Sequence, residues 1–207
     1  MSNFVLRTQP SRRRLSSRHG ATERVGGFTL IELMVTIAVA AVLVSLAAPS
    51  FRELLLRNKA AGITNEFSAA LSQARGLAIA NNACVTLCTA SVSATGAPLC
   101  QAPGASGYQS GWIIFINPAC SAAQTDPAEA GAILRQTRNG SSDGFSIAAS
   151  ATSLNRLMFD PRGISTATAD GLFQVRAPDD SANVHARTIC LDAAGRATLR
   201  RYTTTCS

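Results

Sequence analysis

Phe28-Thr29-Leu30-Ile31-Glu32-Leu33 opens an apolar run that continues to Ala48 and holds a single charge, Glu32. A helix of that length spans the hydrocarbon core of a bilayer. Phe, Leu, Ile and Val fill eleven of its positions. At roughly −0.3 to −0.6 kcal/mol each they favour insertion by about 3 to 7 kcal/mol, against a penalty of about 3 kcal/mol for one buried acid. Insertion therefore survives Glu32, the more so because Glu32 sits near one end. The sequence predicts a transmembrane helix over 28–48.

On the N-terminal side, residues 1–27 are basic and Ser-rich, without apolar periodicity. Arg7, Arg12, Arg13, Arg14, Arg18 and Arg24 stand against Glu23 alone, a net +5. Flanking arginines keep their side of a span cytoplasmic, so 1–27 reads as a cytoplasmic leader. Of the overall charge of +7, residues 28–207 contribute only +2, from thirteen basic and eleven acidic side chains. The high pI thus describes mostly the leader and supports no claim of polyanion binding by the whole chain. Cleavage near Ala48, at Ala47-Ala48-Pro49, would instead make the run a secretory signal and release an enzyme or inhibitor. The run is longer than a usual signal core, which argues against that.

On the C-terminal side the helical period persists. Leu54, Leu55, Ile63, Phe67, Ala70, Leu71, Ala74, Leu77 and Ala78 recur at three- and four-residue spacing, with polar residues between them. This predicts an amphipathic helix over 49–82, with Pro49 inside it as an expected kink. From 83 to 207 the texture becomes short apolar or alternating runs punctuated by Gly, Pro, Asn and Asp. These runs are 85–87, 111–116, 133–136, 145–147, 156–159, 173–175, 187–190 and 197–200. They predict seven or eight strands of antiparallel sheet packed on the helix, an α+β domain, with loops over 91–110 and 117–131.

All six cysteines follow the apolar run: Cys84, Cys88, Cys100, Cys120, Cys190 and Cys206. An even set beyond a span fits an oxidising compartment, the periplasm here. Six cysteines allow about 15 pairings; Cys190 with Cys206, which closes a short C-terminal loop, is the first one expected, and Cys88 with Cys100 the second. No spacing matches a zinc site. His185 has no Ser or Cys motif beside it, and there is no phosphate loop. No catalytic residue, metal or cofactor is expected, and Trp112 reads as part of a core strand.

Gly26-Gly27-Phe28-Thr29-Leu30-Ile31-Glu32-Leu33 resembles the processing signal of type IV prepilins and pseudopilins. The resemblance implies cleavage after Gly27 by a prepilin peptidase, N-methylation of Phe28, and a role in fibre assembly for Glu32, the fifth mature residue. Physically, Gly27 lets a protease reach extended backbone, and an ionisable group within hydrocarbon is a functional residue by default. Its implied partner is the Phe28 amine of a neighbouring subunit. The order of Leu71-Ser72-Gln73-Ala74-Arg75, Val85-Thr86-Leu87-Cys88, Gly111-Trp112-Ile113-Ile114-Phe115, Phe159-Asp160-Pro161-Arg162-Gly163 and Cys190-Leu191-Asp192-Ala193-Ala194-Gly195-Arg196 is similar to the GspH/FimT group of minor pilins and pseudopilins. That implies an inner-membrane protein with a periplasmic domain and other pilins as partners. The resemblance implies a subunit either of a type IV pilus, the favoured reading, or of a type II secretion system.

FimT-type members carry a Gly-Arg-x-Arg motif linked to DNA binding in natural transformation. Here Gly195-Arg196-Ala197 is followed by Thr198, so the second arginine is missing, although Arg200 and Arg201 come just after. With Arg187 they give the tail from Asn183 onward a net +3, Asp192 being its one acid. Counted as one strand, Arg196 and Arg200 share a face. The resemblance therefore implies double-stranded DNA, contacted through Arg187, Arg196, Arg200 and Arg201 without base preference.

Overall fold

The computed structural model describes residues 27–92, 97–101, 107–124, 127, 133–137, 144–166 and 171–206. The leader, apart from Gly27, lies outside the described residues, as do parts of the two expected loops.

A single helix, α1, runs from Leu30 to Asn81 with Pro49 inside it. The chain divides into two compact units, Met1–Leu46 and Ala47–Ser207. In the first unit the helix residues are exposed throughout. In the second the buried helix positions are Ala60, Thr64, Phe67, Ala70, Leu71, Ala74 and Ala78. Their spacing of mostly three and four makes one stripe. Small side chains dominate it, which lets strands approach the helix backbone. The helix ends where Asn82 takes a left-handed conformation, φ 47°. Asn82 N–H then donates to Ile79 O and Ala83 N–H to Ala78 O, the two bonds of a Schellman cap.

Nine strands follow among the described residues. These are β1 (Val85–Val92), β2 (Pro98–Cys100), β3 (Trp112–Ile116), β4 (Ile133–Thr137), β5 (Ser146–Ala149), β6 (Arg156–Phe159), β7 (Gly171–Arg176), β8 (Arg187–Leu191) and β9 (Ala197–Arg201). All pairings between them are antiparallel, and they form two sheets. One has the order β2-β1-β3-β4 with β6 on β1, and the other the order β5-β7-β8-β9. The α+β class and the eight sequence-predicted strands are present. The ninth, β2, lies inside the stretch expected to be a loop. Its three residues are too short to show alternation, and it is set by pairing with Ala90–Val92 and by the Cys88–Cys100 disulfide.

The two sheets meet at Phe67. Its ring centroid lies 4.6 Å from that of Tyr108, 5.2 Å from that of Trp112 on β3 and 5.2 Å from that of Phe173 on β7. All four rings are buried. Tilted and edge-on contacts of this kind add to the burial itself. The Tyr108 hydroxyl donates to Leu154 O, and burial holds its pKa well above the usual phenol value.

Three disulfides close the domain: Cys84–Cys120, Cys88–Cys100 and Cys190–Cys206. They leave no free cysteine. The last fixes the C-terminal tail across β8, where Thr188 Oγ1 donates to Thr203 O and accepts from Thr203 N–H.

Candidate functional site

Three places hold the residues that the sequence singles out. The first is the start of α1. Thr29 precedes the helix, and its Oγ1 accepts a hydrogen bond from Glu32 N–H at 3.2 Å, while Leu33 N–H donates to Thr29 O. Thr29 is thus the N-cap and Glu32 occupies the third helical position, the Thr-x-x-Glu arrangement of a capping box. An acid there also suits the positive end of the helix dipole. Phe28 is 83% exposed, and Leu30, Ile31, Leu33, Met34, Val35, Ile37 and Val39 are all more than half exposed. A helix apolar on every side needs a lipid or helix environment around it. The Thr29-x-x-Glu32 spacing carries the signal for this cap in the sequence itself.

The second place is a pair of matched turns. Asp160-Pro161-Arg162-Gly163 and Asp192-Ala193-Ala194-Gly195 each end on a glycine with positive φ, +80° and +74°. In each, the glycine N–H donates to the aspartate carbonyl. The aspartate carboxylate accepts from Ile164 N–H in the first turn and from Arg196 N–H in the second, at 2.8 Å each. These backbone donors, with the adjacent arginine, hold both carboxyls below the usual aspartate pKa.

The turns touch each other, Ser165 N–H donating to Ala193 O and Ser165 Oγ to Asp192 O. Both are tied to α1 by Arg75, whose Nε donates to Gly163 O at 3.2 Å and to Ala194 O at 3.0 Å. A Cβ on Gly195 would fall 2.4 Å from Gly163 O. The close approach therefore requires glycine there. Arg75 is the residue that sequence reading missed. On the helix it looks like one more polar spacer, and its partners lie 88 and 119 residues away.

The third place concerns the four arginines. Arg196 belongs to the second turn, not to a strand, because β9 begins at Ala197. Its Nε donates to Asp192 Oδ2 at 2.8 Å. Arg187 and Arg201 are direct cross-strand partners on β8 and β9, and Thr188 faces Arg200. Ile189, Leu191 and Ala197 join the core on the helix side of this sheet. By alternation Leu199, Arg201 and Arg187 share that side, while Thr198 and Arg200 take the other. Arg187, Leu199, Arg200 and Arg201, with Ala61, Thr64 and Asn65 of α1, line a groove of about 340 Å³. A second hollow of about 390 Å³ continues it past Arg57, Asn183, Val184, Ala186 and Tyr202, sharing Arg187 and Arg201. Arg57 pairs with Glu53. The structure gathers Arg187, Arg200 and Arg201 at one end of the β8–β9 hairpin and leaves Arg196 at the other. The expected Arg196–Arg200 face is therefore not formed as one strand.

Comparison with known proteins follows this division. The prokaryotic N-terminal methylation motif matches residues 24–48, and the family described as type II transport protein GspH matches residues 64–195. The crystal structure of the type IV minor pilin FimU of Pseudomonas aeruginosa PAO1 is similar in fold, with TM-score 0.53 at 16% identity, covering 73% of this chain and 97% of that one. A second crystal form of FimU gives TM-score 0.48 at 16% identity, over 70% and 97%. No curated protein matches the chain. The GspH match spans well over half of the sequence, beyond a methylation motif at the head of an apolar helix: the chain is a type IV pilin-like protein and belongs to the GspH family.

Proposed function

We propose that this chain is a minor pilin of a type IV pilus, cut after Gly27, methylated on Phe28 and held in the inner membrane by residues 28–48 until it enters the fibre. The observation that carries this reading is the start of α1. A capped helix begins two residues beyond Phe28 and is apolar on every side, next to a matched methylation motif. In the bilayer the apolar surface meets lipid; in a fibre it meets the helices of other subunits. Glu32 then pairs with the Phe28 amine of a neighbour, a charge pair formed where little water competes. The β-rich domain would face the periplasm, where its disulfides form. The family description, type II transport, favours a second reading as a pseudopilin of a type II secretion system. Neighbouring genes for pilus assembly or for secretion separate the two.

Double-stranded DNA as a partner rests on the tail arginines. With Arg196 held by Asp192 and Arg200 on the opposite strand face from Arg201, they support a compact cationic corner better than a phosphate track. DNA is accordingly one outcome of the binding test given below.

Glu32 has two separable jobs, helix cap and charge partner. Glu32→Gln keeps a capping-box side chain and loses the charge. Both Glu32→Gln and Glu32→Ala should be processed at Phe28 and keep their disulfides, yet be missing from sheared fibres on immunoblots. Wild-type incorporation of Glu32→Gln would leave Glu32 as a cap alone and overturn its assembly role.

A further inference from the structure

The sheet β5-β7-β8-β9 ends on β9, and among the described residues no strand pairs with the outer edge of β9. The phase of the ladder says which groups that edge presents. Asp192 N–H donates to Arg196 O, which makes 192/196 a hydrogen-bonded pair. Such pairs alternate along an antiparallel ladder, so 190/198 and 188/200 are the next ones. Thr198 and Arg200 therefore direct their backbone toward β8, while Ala197, Leu199 and Arg201 present N–H and C=O outward. Leu199 is 47% exposed.

Beside this edge lies the groove with Ala61, Thr64 and Asn65 on its helix wall, short side chains that leave room for others. At its end Arg187 and Arg201 stand directly opposite each other, and neither has an acidic partner among the described residues. Like charges in that position destabilise a sheet unless an anion lies between them.

We propose that the free edge of β9 is a strand-addition site for an extended acidic segment of a partner protein. The segment pairs antiparallel or parallel with Ala197, Leu199 and Arg201 through backbone hydrogen bonds. Its alternate side chains enter the groove, their aliphatic stems against Leu199 and Thr64 and their carboxylates on Arg187 and Arg201. Main-chain bonds supply the affinity and the groove and arginines the selectivity. Arginines on an edge also repel a second copy of the same edge, so the site discriminates against self-pairing.

The test uses the full chain in detergent and three fluorescent probes: a peptide alternating Glu and Val, its Lys/Val counterpart, and a short DNA duplex. The Glu/Val peptide should bind and slow amide exchange at Leu199 and Arg201, and the Lys/Val peptide should not bind. Leu199→Pro deletes an outward N–H that the β8 ladder does not use. It should weaken the peptide by about tenfold, the worth of one such bond. Arg187→Gln with Arg201→Gln, both outside the core, should weaken it at least as much and flatten its salt dependence. Equal binding of the Glu/Val peptide to Leu199→Pro, with disulfides intact, would reduce the site to bare charge and overturn strand addition. So would arginine-dependent binding of the duplex with none of the peptide.

Discussion

Reduction of the three disulfides should unfold the β-rich domain at room temperature. The bridges close loops of 36, 12 and 16 residues. On the chain-entropy account each stabilises by roughly 3 to 4 kcal/mol, a sum of about 10 kcal/mol. Domains of this size are stable by about 5 to 15 kcal/mol, so the loss consumes most or all of the margin even if the three are not strictly additive. The bridges also reinforce two short segments that are otherwise held by a few hydrogen bonds. Cys88–Cys100 keeps the three-residue β2 on β1, and Cys190–Cys206 keeps the tail on Thr188. Trp112 reports the outcome, being 2% exposed in the folded domain. Its fluorescence should shift to the red on reduction, while α1 within the detergent keeps its far-ultraviolet helix signal. A domain that merely melts a few degrees lower after reduction would show that the helix–sheet core suffices alone.

Phe67→Ala should be the most damaging single truncation on α1. Its ring touches both sheets through Trp112 and Phe173 and also meets Tyr108 in the turn before β3, so the cavity it leaves opens where several elements meet and none can collapse freely. The expected destabilisation is about 3 to 5 kcal/mol. Phe51 lies on the same helix and is 61% exposed; Phe51→Ala should change domain stability by no more than about 0.5 kcal/mol. Denaturant melts of the two variants, read at Trp112, separate a core phenylalanine from one left for lipid or neighbouring helices. Similar costs at both positions would contradict the burial pattern.

The contrast between these two phenylalanines marks what a sequence carries. Period and length placed α1 and eight strands, because burial of one face writes itself into spacing. Pairing does not. An alternating run shows that a strand has an inside and not which strand lies beside it, and so the division into two sheets was not visible. Nor was β2, Pro98-Leu99-Cys100, whose pairing is imposed by Ala90–Val92. Cys190–Cys206 is legible from its short loop, and Cys88–Cys100 is the second pairing expected from the sequence. Cys84–Cys120 is not legible there, since its residues are brought together by the turn after β3, where Asn117 N–H donates to Cys84 O.

At the site the local signal at Gly27-Phe28 was strong. The long-range parts were silent: Arg75 reaches two carbonyls that sequence cannot place beside it. Arg196 shows the limit of counting parity. As one strand, residues 196 to 200 would set Arg196 and Arg200 on one face, but the Asp192–Gly195 turn takes Arg196 and turns its guanidinium onto Asp192.

The measurement that bears most directly on the central claim is the N-terminus of the protein recovered from its native membrane or fibre. Mass spectrometry should find Phe28 as the first residue, carrying one added methyl group, and Gly27 replaced by a bulky residue should leave the leader attached. A mature chain beginning near Ser50, or one still beginning at Met1, would contradict the account.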